Sequence, residues 1–235
     1  MRPARPLMLF AAGFGKRMGA LTTDRPKPLV EVAGVALIDH ALSLAEAAGA
    51  NPIVVNLHYR GEQLAQHLAE RDVRLSWERE EILETGGGLR QAMAHLGKGP
   101  VATLNSDAVW TGENPVVQLE AGWNNTRMDA LLLLAPVDRA LGHGARADFS
   151  MAEDGRIARH SGGSEPGYVY LGAQIIRPDG LASIPERVFS LNLLWDRMIA
   201  AGRAFGLLHQ GGWCDVGRPE SIALAETLIR ESGDV

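Results

Sequence analysis

At 235 residues, 46% hydrophobic and 22% charged, the chain carries enough apolar content to bury one sizeable core and falls among globular proteins. A net charge of −5 offers no basic field to nucleic acid or an anionic membrane, so any phosphate site has to be local. The single cysteine, Cys214, excludes an internal disulfide and a cysteine metal cluster and reads as a small buried hydrophobe in a reducing compartment.

The opening MRPARPLMLFAAG places arginines before an apolar run, as an export signal does. The run is short, however, and Lys16 and Arg17 follow where cleavage would fall. No stretch approaches the roughly 20 apolar residues of a membrane span. The expectation is a soluble, cytoplasmic protein with neither membrane nor nucleic acid as partner. Strand-length apolar runs then alternate with helix-period segments: LMLFA, ALIDHALSLAEAAGA, PIVVNL, GEQLAQHLAER, VRLSW, GGGLRQAMAHL and PVATLNSD. This rhythm predicts an α/β fold, a mostly parallel central sheet with helices on both faces, and ligands beyond the carboxyl ends of its strands. DALLLLAPV continues the sheet. From Arg139 to Gly172 the chain turns to glycine-rich turns and short strands such as ADFSM, which predicts a small β insertion over the sheet edge. A helix at LNLLWDRMIAAG, a strand at AFGLLHQ and a last helix in PESIALAETLIRES follow, with no repeat and no low-complexity tract. One domain over 1–235, with the insertion at 139–172, is expected.

The stretch LFAAGFGKRM raises the question of phosphate binding. A dinucleotide turn needs G-x-G-x-x-G, and here Met18 stands where the third glycine belongs; an ATPase loop needs four residues between its glycines and Lys-Ser or Lys-Thr after them. Both patterns fail, and Pro26 and Pro28 prevent GALTTDRPKPLV from running as a helix. What remains is a long connection that gathers Lys16, Arg17 and Lys27, two of only three lysines in the chain. Glycines let backbone N–H groups approach an anion, Arg grips phosphate oxygens bidentately, and prolines on either side fix the backbone of Lys27. This predicts a triphosphate cradle without a Walker helix; the alternative is three solvated cations on a mobile loop.

Asp107 ends an apolar strand and Asp215 lies in GGWCDVG, and both are expected on the solvent side; either alone reads equally well as a cap or turn residue. ETGGG, Glu84 to Gly88, opens a helix whose free N–H groups and glycines suit a flat base, or else is a plain helix cap. Asn56 is a weaker, strand-end candidate. The histidines show no metal spacing; His143 and His160 border the insertion, and Trp110 and Trp213 read as packing residues.

LFAAGFGKRMGALTTDRPKPLVEVAG closely resembles the signature of the sugar-1-phosphate nucleotidyltransferases, and the likeness continues through LETGGGL, LNSD and WCDVGRPE. It implies that Arg17, Lys27 and Asp107 carry the chemistry. It assigns the nucleoside triphosphate to Ala11, Ala12, Gly13, Gly15, Lys16, Arg17, Lys27, Glu84, Thr85, Gly86 and Asn105, and Mg²⁺ to Asp107 and Asp215. Ser106 departs from the family pattern, where glycine is common. The order HG…R…DF implies Gly144, Arg146 and Asp148 at the sugar phosphate. Together with the short chain, it implies uridylyl transfer from UTP to N-acetylmuramic acid 1-phosphate in cell-wall recycling. The rivals are guanylyl, cytidylyl or thymidylyl transfer to another sugar 1-phosphate, and a silent sugar-nucleotide sensor, which would be expected to lose Arg17, Lys27 or an aspartate. No hexapeptide repeat follows the last helix, so a single activity is expected.

Overall fold

The β, α, β, α alternation is realised in a computed structural model that describes residues 4–163 and 165–233. The arginine-led start at Met1–Pro3 and Ser164 of the GGSEPG turn lie outside the described residues. In chain order the elements are β1 (Leu7–Phe10), 3₁₀ turns at Lys16–Thr22 and Lys27–Leu29, β2 (Glu31–Val32), β3 (Val35–Ala36), α1 (Leu37–Ala47), β4 (Ile53–Leu57), α2 (Gly61–His67), β5 (Val73–Trp77), α3 (Glu84–Leu96) and β6 (Val101–Asn105). The second half holds β7 (Ala108–Trp110), α4 (Pro115–Gly122), β8 (Ala130–Pro136), β9 (Ala140–Leu141), β10 (Phe149–Met151), β11 (Ile157–Arg159), β12 (Tyr168–Ile176), α5 (Asn192–Ala200), β13 (Ala204–Leu208), β14 (Trp213–Asp215) and α6 (Glu220–Ser232).

The main sheet runs β5-β4-β1-β6-β12-β8-β13. β5, β4, β1 and β6 pair in parallel, β12 is antiparallel to both β6 and β8, and β13 runs parallel to β8. The expected mostly parallel sheet is therefore present, with one reversed strand. Alternation along β1 explains the layers: Leu7 and Leu9 pack with α1, α2 and α4, while Met8 packs on the other face with α3 and α5. Both faces are covered, which is why the strand reads as an unbroken apolar run. A smaller sheet, β7-β14-β9, is backed by α6 through Cys214, Val109, Ala225 and Met18, and carries Asp215 toward the end of β6.

Two regions differ from the sequence reading. Within 139–172, β10 and β11 form an edge hairpin, but Tyr168–Gly172 is the start of the central β12. Its pattern is interrupted where the pairing with β8 shifts between Tyr170 and Gln174. Gly172 sits there at φ +86, and a Cβ on it would lie 2.8 Å from Asn105 Nδ2. Helix α4, which the periodicity left unmarked, is started locally: the Asn114 side chain accepts from Val116 N–H at 2.9 Å and Pro115 takes the first helical position.

Candidate active site

β1 passes directly into the glycine loop. Gly15 sits at φ +63, and a Cβ there would lie 2.8 Å from Lys27 Cβ, so the turn needs glycine for its backbone and for the approach of the lysine. Gly15 C=O accepts from Met18 N–H at 2.9 Å and from the Thr22 hydroxyl at 3.1 Å. The loop's far arm is held by the β4–α2 connection, where the Tyr59 hydroxyl donates to Thr22 O at 3.0 Å, Arg60 donates to Thr23 O and the Gln63 amide to Asp24 O. Pro26 and Pro28 fix Lys27 in a 3₁₀ turn, as their spacing implied. Lys16 and Arg17 are exposed, with Lys16 Nζ 5.1 Å from the centre of the Phe14 ring. Lys27 is not a solvated cation: it is 8% exposed and its Nζ donates to Asp107 Oδ2 at 2.7 Å.

Asp215 joins this pair through the small sheet. β14 places it opposite Ala108 of β7, and Val216 N–H donates to Asp107 O at 2.9 Å. Burial pushes the Asp215 carboxyl above its ordinary value and the Asp107 charge pushes it further, while Lys27, Arg17 and His143 pull it down. Asp215 is half-buried rather than fully on the solvent side, and Asp107 is paired with a buried ammonium. Asp107 and Asp215, brought together at this corner, make a donor set that a hard divalent cation would complete, since Mg²⁺ takes one or two carboxylates with phosphate oxygens and water. Among the described residues no group of three or more His, Cys, Asp or Glu could hold a metal, which does not match an all-protein zinc cage. Gly217 completes the corner: a Cβ on it would lie 2.7 Å from Asp215 Oδ2 and 3.1 Å from Arg17 Nη2.

Next to this corner opens a cleft of about 210 Å³. Of the residues expected at the nucleotide's base, Ala12, Gly13, Glu84, Thr85 and Asn105 line it, together with Asn56, Glu78 and Asp107. Ala11 and Gly86 do not. Ala11 is buried with its N–H donating to Asn56 Oδ1 at 2.7 Å. Gly86 N–H donates to Phe189 O at 2.8 Å, and a Cβ on Gly86 would meet the Phe189 ring at 2.3 Å. At Gly87 a Cβ would lie 2.5 Å from Arg187 O. These glycines let α3 dock on the 187–189 segment. Glu84 opens α3 at φ +58, a region rare for any residue with a Cβ, and its exposed carboxylate has no partner among the described residues. The Thr85 hydroxyl accepts from Leu191 N–H at 3.0 Å. Ser106 is buried, and its hydroxyl donates to Phe10 O at 2.7 Å, tying the end of β6 to β1.

Glu78 escaped the sequence reading. It is 2% exposed, yet in SWEREEILE it stands among charged neighbours with nothing in the pattern to set it apart. Gly217 was likewise hidden, although a glycine two residues after a metal-candidate aspartate is a signal of close approach that could have been used.

On the sugar side, Gly144 adopts φ +110 and Arg146 is exposed with no partner among the described residues. Asp148 differs from the expectation. Its Oδ2 accepts Tyr170 N–H at 2.9 Å, and its backbone bonds Tyr168 and His160, so it braces the β10–β12 junction. A carboxylate would in any case repel a phosphate. His143, from the same loop, acts on Asp215 and lies 6.2 Å from the Trp213 ring. Trp110 and Trp213 pack ring against ring at 6.3 Å, and Cys214 is fully buried, its thiol pushed up to about 12 by burial, then by Asp215.

Residues 7–152 match the MobA-like NTP transferase domain. Over 234 residues the chain is 40% identical to the N-acetylmuramate alpha-1-phosphate uridylyltransferase of Caulobacter vibrioides, covering 96% of this chain and 97% of that one. It is 31% identical to the protein of the same name from Neisseria meningitidis serogroup B, covering 94% and 96%. The inositol-1-phosphate CTP transferase of T. maritima shares the fold, with a TM-score of 0.73 at 16% identity over 96% of each chain. No helix among the described residues is long and apolar enough to cross a membrane.

Proposed function

This chain is a nucleotidyltransferase of the MobA-like NTP transferase family, and on that premise we propose that it transfers the uridylyl group of UTP to N-acetylmuramic acid 1-phosphate and releases pyrophosphate. The whole of 1–235 acts as one nucleotidyltransferase domain, and the reading places it in the cytoplasm, in line with its one buried cysteine. The observation that carries the reading is the convergence of Arg17, Lys27, Asp107 and Asp215 on one corner of a chain with 40% identity to its Caulobacter relative over nearly its full length. A silent sensor has no need of all four.

The acceptor's phosphate oxygen attacks the α-phosphorus of UTP. A new P–O bond forms there as the bond to the bridging α,β-oxygen breaks, and pyrophosphate leaves with that electron pair. A phosphate monoester is largely ionised at neutral pH, its second pKa being about 6, so no general base is required. Catalysis then rests on positioning and on neutralising charge. Backbone groups of Gly13–Gly15, with Lys16 and Arg17, hold the triphosphate, and Arg17 faces the departing pyrophosphate. Lys27, desolvated and fixed between two prolines, sets a positive charge beside the reacting phosphate. Asp107 and Asp215 are the residues that would hold Mg²⁺, which when bound draws the phosphates together and offsets their charge. Glu84 offers only acceptors to the base cleft, which suits the N3–H of uracil and not the accepting N3 of cytosine. Arg146 is free to meet the acceptor's phosphate or its lactyl carboxylate.

The test is pyrophosphate release from ATP, CTP, GTP, TTP and UTP against a panel of sugar 1-phosphates. The pair UTP with N-acetylmuramic acid 1-phosphate is expected to give the highest kcat/KM. Preference for GTP, or for an acceptor without the lactyl group, would overturn the substrate assignment.

A further inference from the structure

Backbone N–H groups on the two sides of the base cleft are joined by a buried relay of hydrogen bonds. Ala11 N–H, in the turn after β1, donates to Asn56 Oδ1 at 2.7 Å. Asn56 Nδ2 donates to Glu78 Oε1 at 2.6 Å, and Glu78 Oε2 accepts Leu83 N–H at 2.8 Å, one residue before Glu84. Asn56 and Glu78 are 3% and 2% exposed, and both line the cleft. Donor and acceptor roles are forced along the whole chain. Ala11 N–H can only donate, so the Asn56 oxygen faces it and the Asn56 amine faces Glu78. Leu83 N–H can only donate as well. Both oxygens of residue 78 must therefore accept, which a carboxylate does freely; a glutamine cannot, and a carboxylic acid does so only by leaving its hydroxyl proton to find another acceptor. Gly88 gives an independent sign that this space is reserved: a Cβ on it would lie 2.7 Å from Glu78 Oε1 and 3.1 Å from Asn56 Nδ2.

We propose that Asn56 and Glu78 are positioning residues that set the separation of the AAG turn and the Leu83–Thr85 segment, and through it the fit of the nucleobase. This rests on reading the cleft as the base site. Neither residue touches the reacting phosphorus; they act through the backbone on either side. Loss of the relay therefore weakens nucleotide binding more than turnover at saturation.

Isosteric swaps test it. Glu78→Gln puts an amine against Asn56 Nδ2 or Leu83 N–H, and Asn56→Asp sets two acceptors face to face. Each single variant is expected to raise KM for UTP roughly ten- to hundredfold, as a buried unpaired group does, with kcat changed far less. The double variant Asn56→Asp/Glu78→Gln restores every donor–acceptor match at unchanged net charge. The carboxylate now at position 56 accepts from Ala11 N–H and from the amide now at position 78, and the oxygen of that amide accepts from Leu83 N–H. Its KM for UTP is expected to return to within a few-fold of the parent. Recovery in the double supports the relay even if a single variant fails to fold. Single variants that lose melting temperature but keep the parent's KM would overturn it, as would a double no better than the singles. If the parent itself turns over another triphosphate, the substrate assignment fails and the same four proteins are compared on that triphosphate, so the two failures are distinct.

Discussion

On the proposed reading, the nucleotide half of the site and the sugar half are built by opposite means. Around the nucleotide, the buried polar groups are already engaged, Lys27 with Asp107, Ala11 with Asn56, Asn56 with Glu78, and Thr22 with the backbone of its own loop, while Lys16, Arg17 and the Glu84 carboxylate stand exposed. On the proposed sugar side, Gly144 and Arg146 stand exposed on the loop between β9 and β10, and the one carboxylate of that loop, Asp148, serves the backbone of β12. A prebuilt half costs little ordering when its ligand arrives; an open half has to be ordered by its ligand. The arrangement suits a triphosphate that is bound first in a fixed mould, followed by an acceptor that organises its own surroundings.

That contrast can be broken most forcefully at the charged corner. Lys27→Met, Arg17→Ala and Asp107→Asn are each expected to lower turnover about 10²–10³-fold, roughly 3–4 kcal/mol of barrier. Asparagine is the informative change at 107, because alanine would leave the buried Lys27 ammonium unpaired. Arg17→Lys should recover only part of the loss, a point charge being no substitute for a planar fork. Near-parental rates in any of these would show that this corner is not where charge develops.

Next in size is Gly86→Ala. The prebuilt half owes its position to α3 lying against Phe189, and the added Cβ has to move that ring. Overpacking of this kind costs about 1–3 kcal/mol, read as a melting-temperature loss of roughly 2–4 °C per kcal/mol. If stability is unchanged, the docking of α3 is looser than the contacts imply.

The open half should respond in KM alone. Arg146→Ala is expected to raise KM for the sugar 1-phosphate about tenfold, near 1.4 kcal/mol, with melting temperature unchanged. Comparing N-acetylglucosamine 1-phosphate with its lactyl ether sharpens the point: loss of the preference assigns Arg146 to the carboxylate, and an equal fall for both assigns it to the phosphate.

The smallest effect is a pH dependence that sets activity against stability. Burial raises the Glu78 carboxyl above its ordinary 4.5, against the pull of Leu83 N–H, Asn56 and His58. The folded chain therefore holds this proton more tightly than the unfolded chain. The group's contribution to stability is complete below about 4.5 and is lost as pH rises through its folded value. The relay, however, needs the ionised form. Acidification from pH 7 toward 4.5, the carboxyl's ordinary value, is expected to raise the parent's KM for UTP while this group's share of stability grows. A KM flat over that range would show that the proton does not reach Glu78.

Much of the fold was legible because both faces of the sheet are covered, so β1 and β8 appear as unbroken apolar runs and β4 and β6 as apolar runs interrupted only by Asn56 and by Thr103 and Asn105. Helix α4 was hidden by its weak periodicity, and β12 by Gly172, where a glycine that serves Asn105 reads as the end of a turn-rich insertion. At the corner, the prolines singled out Lys27, whereas Asp107 at its strand end read equally as a turn residue without the family resemblance. Ala11 and Gly86 lie behind the cleft rather than in its lining, a distinction hidden because motif residues that shape a cleft look the same in sequence as residues that line it. Glu78 was invisible because its importance comes from two partners 22 and 5 residues away, a relation that only folding creates.

The reversed strand β12 bears on how such a chain diversifies. Because it runs against its neighbours, its leading end meets the carboxyl ends of β6 and β8 at one rim, and the stretch that precedes it, which on the proposed reading faces the acceptor, starts from that rim. That stretch is anchored by β9 on one side and by the β10–β11 hairpin on the other, and it supplies no strand to the parallel run of β5, β4, β1 and β6. It can be lengthened, shortened or rewritten while the mould for the triphosphate stays in register. A lineage carrying this topology is able to exchange one sugar for another by editing a single excursion of the chain, leaving the phosphate chemistry it inherited in place.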